Sequence, residues 1–139
     1  MAIKKLNPYL MFNGNGAAAI ETYVSALGAK VEAVSRYGDT PGSQVPAEFG
    51  NLMMQAVLRL GESVVMLTDT TPDRAVPFGS NVQIALDVDD PADMDARFAA
   101  LSAGGKVIMA PQETFWGARF GVCSDAFGVV WMFNCDLKR

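Results

Sequence analysis

The stretch Ser25-Ala-Leu-Gly-Ala-Lys-Val31 returns in the second half of the chain as Leu101-Ser-Ala-Gly-Gly-Lys-Val107. Each copy lies at the end of a segment whose pattern predicts an amphipathic helix. Internal similarity at this spacing is typical of a chain that contains one structural module twice. The repeat therefore predicts two related modules.

Both predicted helices carry an apolar stripe at the spacing of a helix face. The stripe consists of Ile20, Tyr23, Val24 and Leu27 in the first helix, and of Met94, Phe98 and Leu101 in the second. We therefore expect each helix to pack one face against a sheet.

The starts of the two helices show capping signals. Asn15 is placed to cap the first helix, and Asp90 followed by Pro91 is placed to cap the second. Asp93 and Asp95 follow in the first turns of the second helix, where negative charge complements the helix dipole. The acidic cluster from Asp87 to Asp95 lacks the glycine and terminal glutamate of an EF-hand loop, so capping explains it better than cation binding.

Strand signals surround each helix. An apolar run that opens with asparagine precedes both helices, at residues 7–12 and 81–86, and a further strand is predicted after each helix. Each half then ends in a hairpin, and the second hairpin turns at Asp125-Ala-Phe-Gly128, a type I turn signature.

Each half therefore reads strand, helix, strand, strand, strand. We predict an α+β fold with two βαβββ modules in a single domain over residues 1–139. The modules cover about residues 6–69 and 81–135, and the polar residues 70–80 link them.

The composition limits the chemistry. The 139 residues include no histidine, and half of them are hydrophobic. A chain of this size buries a core without disulfides or a structural metal. The absence of histidine removes the commonest transition-metal ligand and general base, and every Ser-His-Asp or Cys-His arrangement. Cys123 and Cys135 have no C-x-x-C spacing, so we predict buried reduced thiols.

Charge and hydropathy limit the partners and the location. Asp and Glu number 15 against 11 Lys and Arg, which argues against nucleic acid as a partner. The first residues contain no apolar segment of signal-peptide length, and no apolar run is long enough to cross a bilayer. We expect a cytoplasmic protein with no membrane partner.

Four strings, taken with the doubled module, resemble a known family. They are Asn7-Pro-Tyr-Leu-Met-Phe-Asn-Gly-Asn15, Leu60-Gly-Glu-Ser-Val-Val-Met-Leu-Thr-Asp69, Glu113-Thr-Phe-Trp-Gly-Ala-Arg-Phe-Gly121 and Asp125-Ala-Phe-Gly-Val-Val-Trp-Met-Phe-Asn134. The chain resembles the vicinal oxygen chelate superfamily, which holds glyoxalase I, extradiol dioxygenases and bleomycin-resistance proteins. Within it, the strings are similar to the PhnB-like branch, also called demethylubiquinone methyltransferase-like.

This resemblance implies a cleft around which the two modules curve, often at a subunit interface, and hence a homodimer. It covers about Leu6 to Cys135. No glycine-rich loop that binds S-adenosylmethionine follows any predicted strand, so methyltransferase activity is not expected.

The resemblance also implies metal ligands on the first and last strands of each module. Those positions fall on Tyr9 or Pro8, Met66, Gln83 and Met132. None offers an imidazole or a carboxylate, which divalent metals prefer in such sites. We therefore expect no metal and no cofactor.

Strand alternation extends these positions to a candidate cleft. This alternation places Asn134 on the same face as Met132, and it places Trp131 and Phe133 on the other face, in the core. Gln55 lies where the resemblance implies a histidine in many members, and it either enters the cleft or faces outward. The candidate cleft residues are Tyr9, Gln55, Met66, Gln83, Met132 and Asn134.

The loop Glu113-Thr-Phe-Trp-Gly-Ala-Arg119 adds two candidates. Trp116 and Arg119 place an aromatic face beside a cation, which suits a planar anionic ligand. The aromatic side chains of this loop equally suit a cover for the cleft or a dimer seam. Asp69 either accepts a proton or pairs with Arg119, or it bonds turn backbone.

These residues favour a protein that binds an apolar or aromatic small molecule without a metal, for sequestration or sensing. No catalytic residue is assigned. One alternative is an enzyme of the same superfamily, a lyase, isomerase or dioxygenase with an unusual metal or none. Another is a dimerising module that has no dedicated ligand.

Overall fold

A computed structural model describes residues 2–137 of the chain. The chain forms two compact units, which meet in sequence between Val76 and Pro77, inside the predicted linker. Each unit contains one α-helix and one four-stranded mixed sheet. The predicted α+β class and the doubled βαβββ module are confirmed. Neither helix has the length and apolar character that a bilayer crossing requires, among the residues described.

The first unit contains five regular elements. They are β1 (Tyr9–Phe12), α1 (Gly16–Leu27), β2 (Lys30–Arg36), β3 (Met53–Leu60) and β4 (Ser63–Asp69). The strand order is β1-β4-β3-β2, with β1 parallel to β4 and the other pairs antiparallel. The long connection between β2 and β3 contains two short 3-10 turns, and a third follows β4.

The second unit repeats this arrangement. Its elements are β5 (Ile84–Asp87), α2 (Pro91–Ser102), β6 (Lys106–Glu113), β7 (Ala118–Ser124) and β8 (Val130–Asp136). The strand order is β5-β8-β7-β6, and only the β5–β8 pair is parallel. Each helix therefore follows the strand that pairs in parallel with the last strand of its own unit.

The helices bury most of the predicted stripes. Met94, Phe98 and Leu101 of α2 are buried, as predicted. In α1, Tyr23 and Leu27 are buried, but Val24 is 40% exposed. The other buried positions of α1 are small, namely Gly16, Ala19 and Ala26. Small side chains let α1 lie close to its sheet, and Val24 lies outside this set of buried positions.

The two helix starts are capped differently. The carboxylate of Asp90 accepts the backbone N–H of Asp93 at 2.8 Å, as predicted. The prediction for Asn15 is wrong, because its side chain makes no capping bond. Instead, Asp69 at the end of β4 accepts the backbone N–H of Gly16 at 2.8 Å. A buried carboxylate from a distant strand thus accepts a helix N-terminal N–H group that a neighbouring residue in the sequence usually caps.

The predicted turn between β7 and β8 is confirmed. The backbone N–H of Gly128 donates to the carbonyl of Asp125 at 3.2 Å. The buried Asp125 carboxylate accepts the N–H groups of Phe127 and Val129, and its other oxygen accepts the indole N–H of Trp131 at 2.9 Å. Trp131 and Phe133 are buried on one face of β8, which confirms their predicted place in the core.

Candidate functional site

The first sheet has one face covered by α1 and one that is not. Ala56, Leu58 and Leu67 are fully buried on the covered face. Tyr9 lies directly opposite Met66, and Met66 lies opposite Val57, so these residues share the other face. We call it the open face of the first unit.

The structure brings three predicted site residues together on this open face. Tyr9 and Met66 are register partners on neighbouring strands. Gln55, two residues before Val57 on β3, shares the face and is partly exposed. Of the two orientations left open for Gln55, the structure therefore adopts the one on the same side as Tyr9 and Met66.

A cleft of about 710 Å³ lies where this face meets the loop between β2 and β3. We call it the first-unit cleft. It lies entirely within the first unit, and only its residue Asp69 was singled out from the sequence for a chemical role. The lining residues are Met11, Tyr37, Gln44, Val45, Pro46, Phe49, Thr68, Asp69, Thr70, Thr71, Pro72, Asp73 and Arg74.

The β2–β3 loop forms one wall and is closed at its base. The backbone N–H of Gly38 donates to the carbonyl of Gly50 at 2.8 Å, and that of Tyr37 donates to the carbonyl of Leu52. A Cβ on Gly38 would lie 3.0 Å from the Gly50 carbonyl oxygen, so this closure needs a small residue. A sequence signal existed, because a loop of this length between adjacent antiparallel strands is uncommon and often functional.

Asp69 fixes the opposite wall. Its two carboxylate oxygens accept the backbone N–H groups of Gly16 at 2.8 Å and Met53 at 2.9 Å. Of the roles considered, the structure supports bonding to backbone and not pairing with Arg119. A buried carboxylate that holds two N–H groups joins β4 to the starts of α1 and β3.

The second unit carries the remaining predicted residues. Met132 and Asn134 are partly exposed and share the face of β8 that points away from Trp131 and Phe133. Gln83 precedes β5 by one residue and is exposed, and its amide donates to the carbonyl of Ser80 at 3.3 Å.

Arg119 lies on the helix side of the second sheet. Its guanidinium donates to both carboxylate oxygens of Asp95 on α2, at 2.8 and 2.9 Å. This bonding raises the pKa of Arg119 above its ordinary value. Arg119 is thus engaged by α2.

Trp116 contacts the face of the second sheet that points away from α2. Its ring is 55% exposed and meets Phe120 edge-on, with centroids 5.8 Å apart. Arg119 and Phe120 are consecutive strand residues, so their side chains point to opposite faces. The structure therefore does not combine Trp116 and Arg119 into the composite surface that their spacing predicted.

The donor atoms at the implied metal positions do not fit a divalent metal ion. Tyr9, Met66, Gln83 and Met132 supply a phenol, two thioethers and an amide, none of which compensates the charge of such an ion. Across residues 2–137, no three His, Cys, Asp or Glu side chains lie close enough together to hold a metal.

The two cysteines are buried and free. Burial, together with the nearby Asp125 carboxylate, raises the pKa of Cys123 from 9.0 to about 11. Burial also raises the pKa of Cys135. Because the thiolate is the reactive form, neither thiol is suited to nucleophilic chemistry near neutral pH.

Comparisons with known proteins agree with this architecture. The sequence pattern of the Glyoxalase/Bleomycin resistance protein/Dioxygenase superfamily matches residues 5–133. Protein YjdN from Escherichia coli strain K12 is 37% identical over 138 residues, which cover 93% of this chain and 93% of YjdN.

Solved structures share the fold along nearly the whole chain. The crystal structure of protein PA1353 from Pseudomonas aeruginosa matches with a TM-score of 0.86 and 38% identity, and covers 98% of this chain and 100% of that one. A PhnB protein from Bacillus cereus matches with a TM-score of 0.79 and 22% identity, and covers 95% and 99%. The second likeness shows the fold alone.

Proposed function

The chain belongs to the glyoxalase/bleomycin resistance protein/dioxygenase superfamily, and from this premise we propose that it binds small molecules without a metal ion. The proposed ligand is an apolar or aromatic compound, held for sequestration or sensing. The proposed site is the first-unit cleft together with the adjoining residues of the open face.

The observation that carries this proposal is the cleft itself. Its volume of about 710 Å³ falls in the range of small-molecule sites. Met11, Val45 and Phe49 provide apolar walls, and a few hydroxyl and carboxylate groups interrupt them. Such a mixture buries an apolar body while the polar groups fix its orientation.

The character of the side chains favours binding over catalysis. Asp69, the buried carboxylate of the cleft, is occupied by two backbone N–H groups. The thioethers of Met11 in the cleft and of Met66 on the open face are flexible and polarizable, which suits contact with ligands of varied shape. The absence of histidine removes the group that most often serves as a general base.

The test is ligand screening on metal-free protein. Protein dialysed against EDTA is screened by thermal shift with a panel of aromatic compounds, and hits are titrated by calorimetry. We expect binding in the presence of EDTA, and a loss of affinity of about tenfold in Phe49→Ala, since burial of an aromatic ring contributes on that scale.

The matched control is Phe78→Ala, which removes an exposed phenylalanine outside the cleft and should leave affinity unchanged. Binding that requires added Zn, Ni, Mn or Fe would refute the metal-free proposal. An affinity that is unchanged in Phe49→Ala would show that the ligand binds outside the first-unit cleft.

We also propose a homodimer, which the family resemblance implies. The edge strand β6 supports it, since Val107, Ile108 and Met109 are each exposed to a large extent. Exposed apolar edges favour pairing with a second copy. Light scattering on a sizing column should give the dimer mass for the native chain and the monomer mass for Ile108→Lys.

A further inference from the structure

The polar wall of the first-unit cleft has a defined hydrogen-bonding polarity. Four of its lining residues carry hydroxyl groups, namely Tyr37, Thr68, Thr70 and Thr71. A hydroxyl has one proton to donate and two lone pairs that accept. Which of these remains for a ligand depends on where each hydroxyl proton already goes.

The hydroxyls of Tyr37 and Thr68 donate to main-chain carbonyls of β4 and β3. Tyr37 donates to the carbonyl of Asp69 at 2.9 Å. Thr68 donates to the carbonyl of Met54 on the neighbouring strand at 2.7 Å. Carbonyl oxygens only accept, so the direction of both bonds is fixed by chemistry.

The other two hydroxyls follow the same rule. Thr70 is buried and donates to the carbonyl of Phe12, with the side-chain oxygen of Asn13 also 3.1 Å away. Thr71 donates to the carboxylate of Asp73, which lowers the pKa of that carboxyl. All four hydroxyl protons are therefore used inside the protein, and these hydroxyls offer a ligand only lone pairs.

The charged groups of the cleft also favour a ligand that donates N–H groups. Asp69 and Asp73 contribute two carboxylates to the lining, against the single guanidinium of Arg74. Arg74 lies near enough to Asp73 to help lower its pKa, so part of its charge is offset. The side chains that retain N–H donors, Gln44 and Arg74, are exposed, as is Asp73, whereas Thr70 and Asp69 are buried.

We propose that the first-unit cleft selects a ligand whose apolar body carries an N–H donor cation, a primary or secondary ammonium. This rests on the proposed function and adds the chemical class of the ligand. The ammonium N–H groups bond to the lone pairs of the cleft hydroxyls, and the apolar body lies against Met11, Val45 and Phe49. A carboxylate in the same place meets lone pairs and negative charge, and the N–H donors of the lining, Gln44 and Arg74, lie at exposed positions away from the buried Thr70 and Asp69.

Three probes that share a phenylpropyl body separate these properties. They are 3-phenylpropylammonium, its N,N,N-trimethyl derivative, which keeps the charge but has no N–H, and 3-phenylpropanoate. We expect calorimetric titration of metal-free protein to give a dissociation constant for the primary ammonium about tenfold lower than for either of the others, as expected for hydrogen bonds that involve a charged group.

Thr68→Val and Thr71→Val each remove one accepting oxygen with little change of shape. Each should weaken the primary ammonium severalfold and leave the trimethyl probe unchanged. Two positions are tested because Thr68→Val also leaves a carbonyl on β3 without its donor. Thr40→Val is the control, since its hydroxyl donates to the carbonyl of Arg36 but lies outside the cleft.

If the propanoate or the trimethyl probe binds as tightly as the primary ammonium, the selection for N–H donors is wrong and metal-free binding in the cleft still stands. If none of the three probes binds, and the aromatic panel gives no hit on metal-free protein, both proposals fail.

Discussion

The carboxylate of Asp69 accepts the backbone N–H of Gly16 at 2.8 Å, so the last residue of β4 caps the first residue of α1. Its second oxygen accepts the backbone N–H of Met53 at the start of β3. One side chain in the wall of the first-unit cleft therefore joins a helix and two strands. The position of this cleft wall and the stability of the first unit therefore depend on the same residue.

Asp69→Ala should lower the free energy of unfolding by about 2 to 4 kcal/mol, because it leaves two N–H groups of the interior without an acceptor. Urea unfolding followed by circular dichroism measures this. Asp90→Ala is the matched comparison, since the exposed Asp90 caps α2 through one N–H, and should cost about 1 kcal/mol. Equal losses in the two variants would show that Asp69 does not join the three elements.

Gly16→Ala tests how closely α1 approaches this carboxylate. A Cβ at Gly16 would lie 2.7 Å from Asp69 Oδ1 and 2.6 Å from Met53 Cε. We expect a loss of about 1 to 3 kcal/mol in unfolding free energy, as is usual for overpacking. Gly79→Ala, where the nearest atom would be 3.9 Å away, should stay near the native value. A Gly16→Ala protein as stable as the native chain would contradict the tight contact.

The buried thiols give a pH prediction. Because the pKa of Cys123 is raised from 9.0 to about 11 in the folded chain, the unfolded chain loses this proton first as pH rises. The folded state then binds more protons than the unfolded state between these values, so stability falls with increasing pH in that window. Below about pH 8 the Cys123 thiol keeps its proton in both the folded and the unfolded chain, so this loss of stability is absent.

Thiol titration with an aromatic disulfide at pH 8 checks the same burial. We expect the native protein to react slowly at both Cys123 and Cys135, and quickly once urea unfolds it. Single Cys→Ser variants assign the two signals. A thiol that reacts in the native protein as fast as in the unfolded one would contradict its burial.

The two tryptophans should differ in fluorescence. Trp116 is 55% exposed, whereas Trp131 is 1% exposed and bonds to Asp125. Iodide should therefore quench part of the emission, and Trp116→Phe should remove the quenchable part and leave blue-shifted emission. If iodide quenches the Trp116→Phe protein as strongly as the native one, Trp131 is not in the core.

Local sequence signals predicted much of the fold. Met94, Phe98 and Leu101 follow helical spacing, and Asp90 accepts an N–H only three residues further along the chain, so short-range pattern sufficed for both. The Asp125–Gly128 turn was also readable from neighbouring residues. The prediction for Asn15 was wrong because the residue that caps α1, Asp69, lies 53 residues beyond Gly16 in the chain.

The candidate site was harder to predict. Tyr37 and Phe49 belong to a loop without periodic pattern, so their contribution to the cleft depends on the closure between Gly38 and Gly50. The sequence pointed to Arg119 as a cation that could bind a ligand, but it assigned Asp95, the carboxylate partner of Arg119 on α2, only to the capping of that helix. Partners across elements are set by packing, which a single sequence does not display.

The most direct test of metal-free binding in the first-unit cleft is an NMR titration of isotope-labelled, EDTA-treated protein with 3-phenylpropylammonium. We expect saturable amide shifts concentrated at cleft residues such as Met11, Phe49 and Thr68, with little change around Trp131 in the second unit. Shifts that appear only after a divalent metal is added, or that concentrate in the second unit, would contradict it.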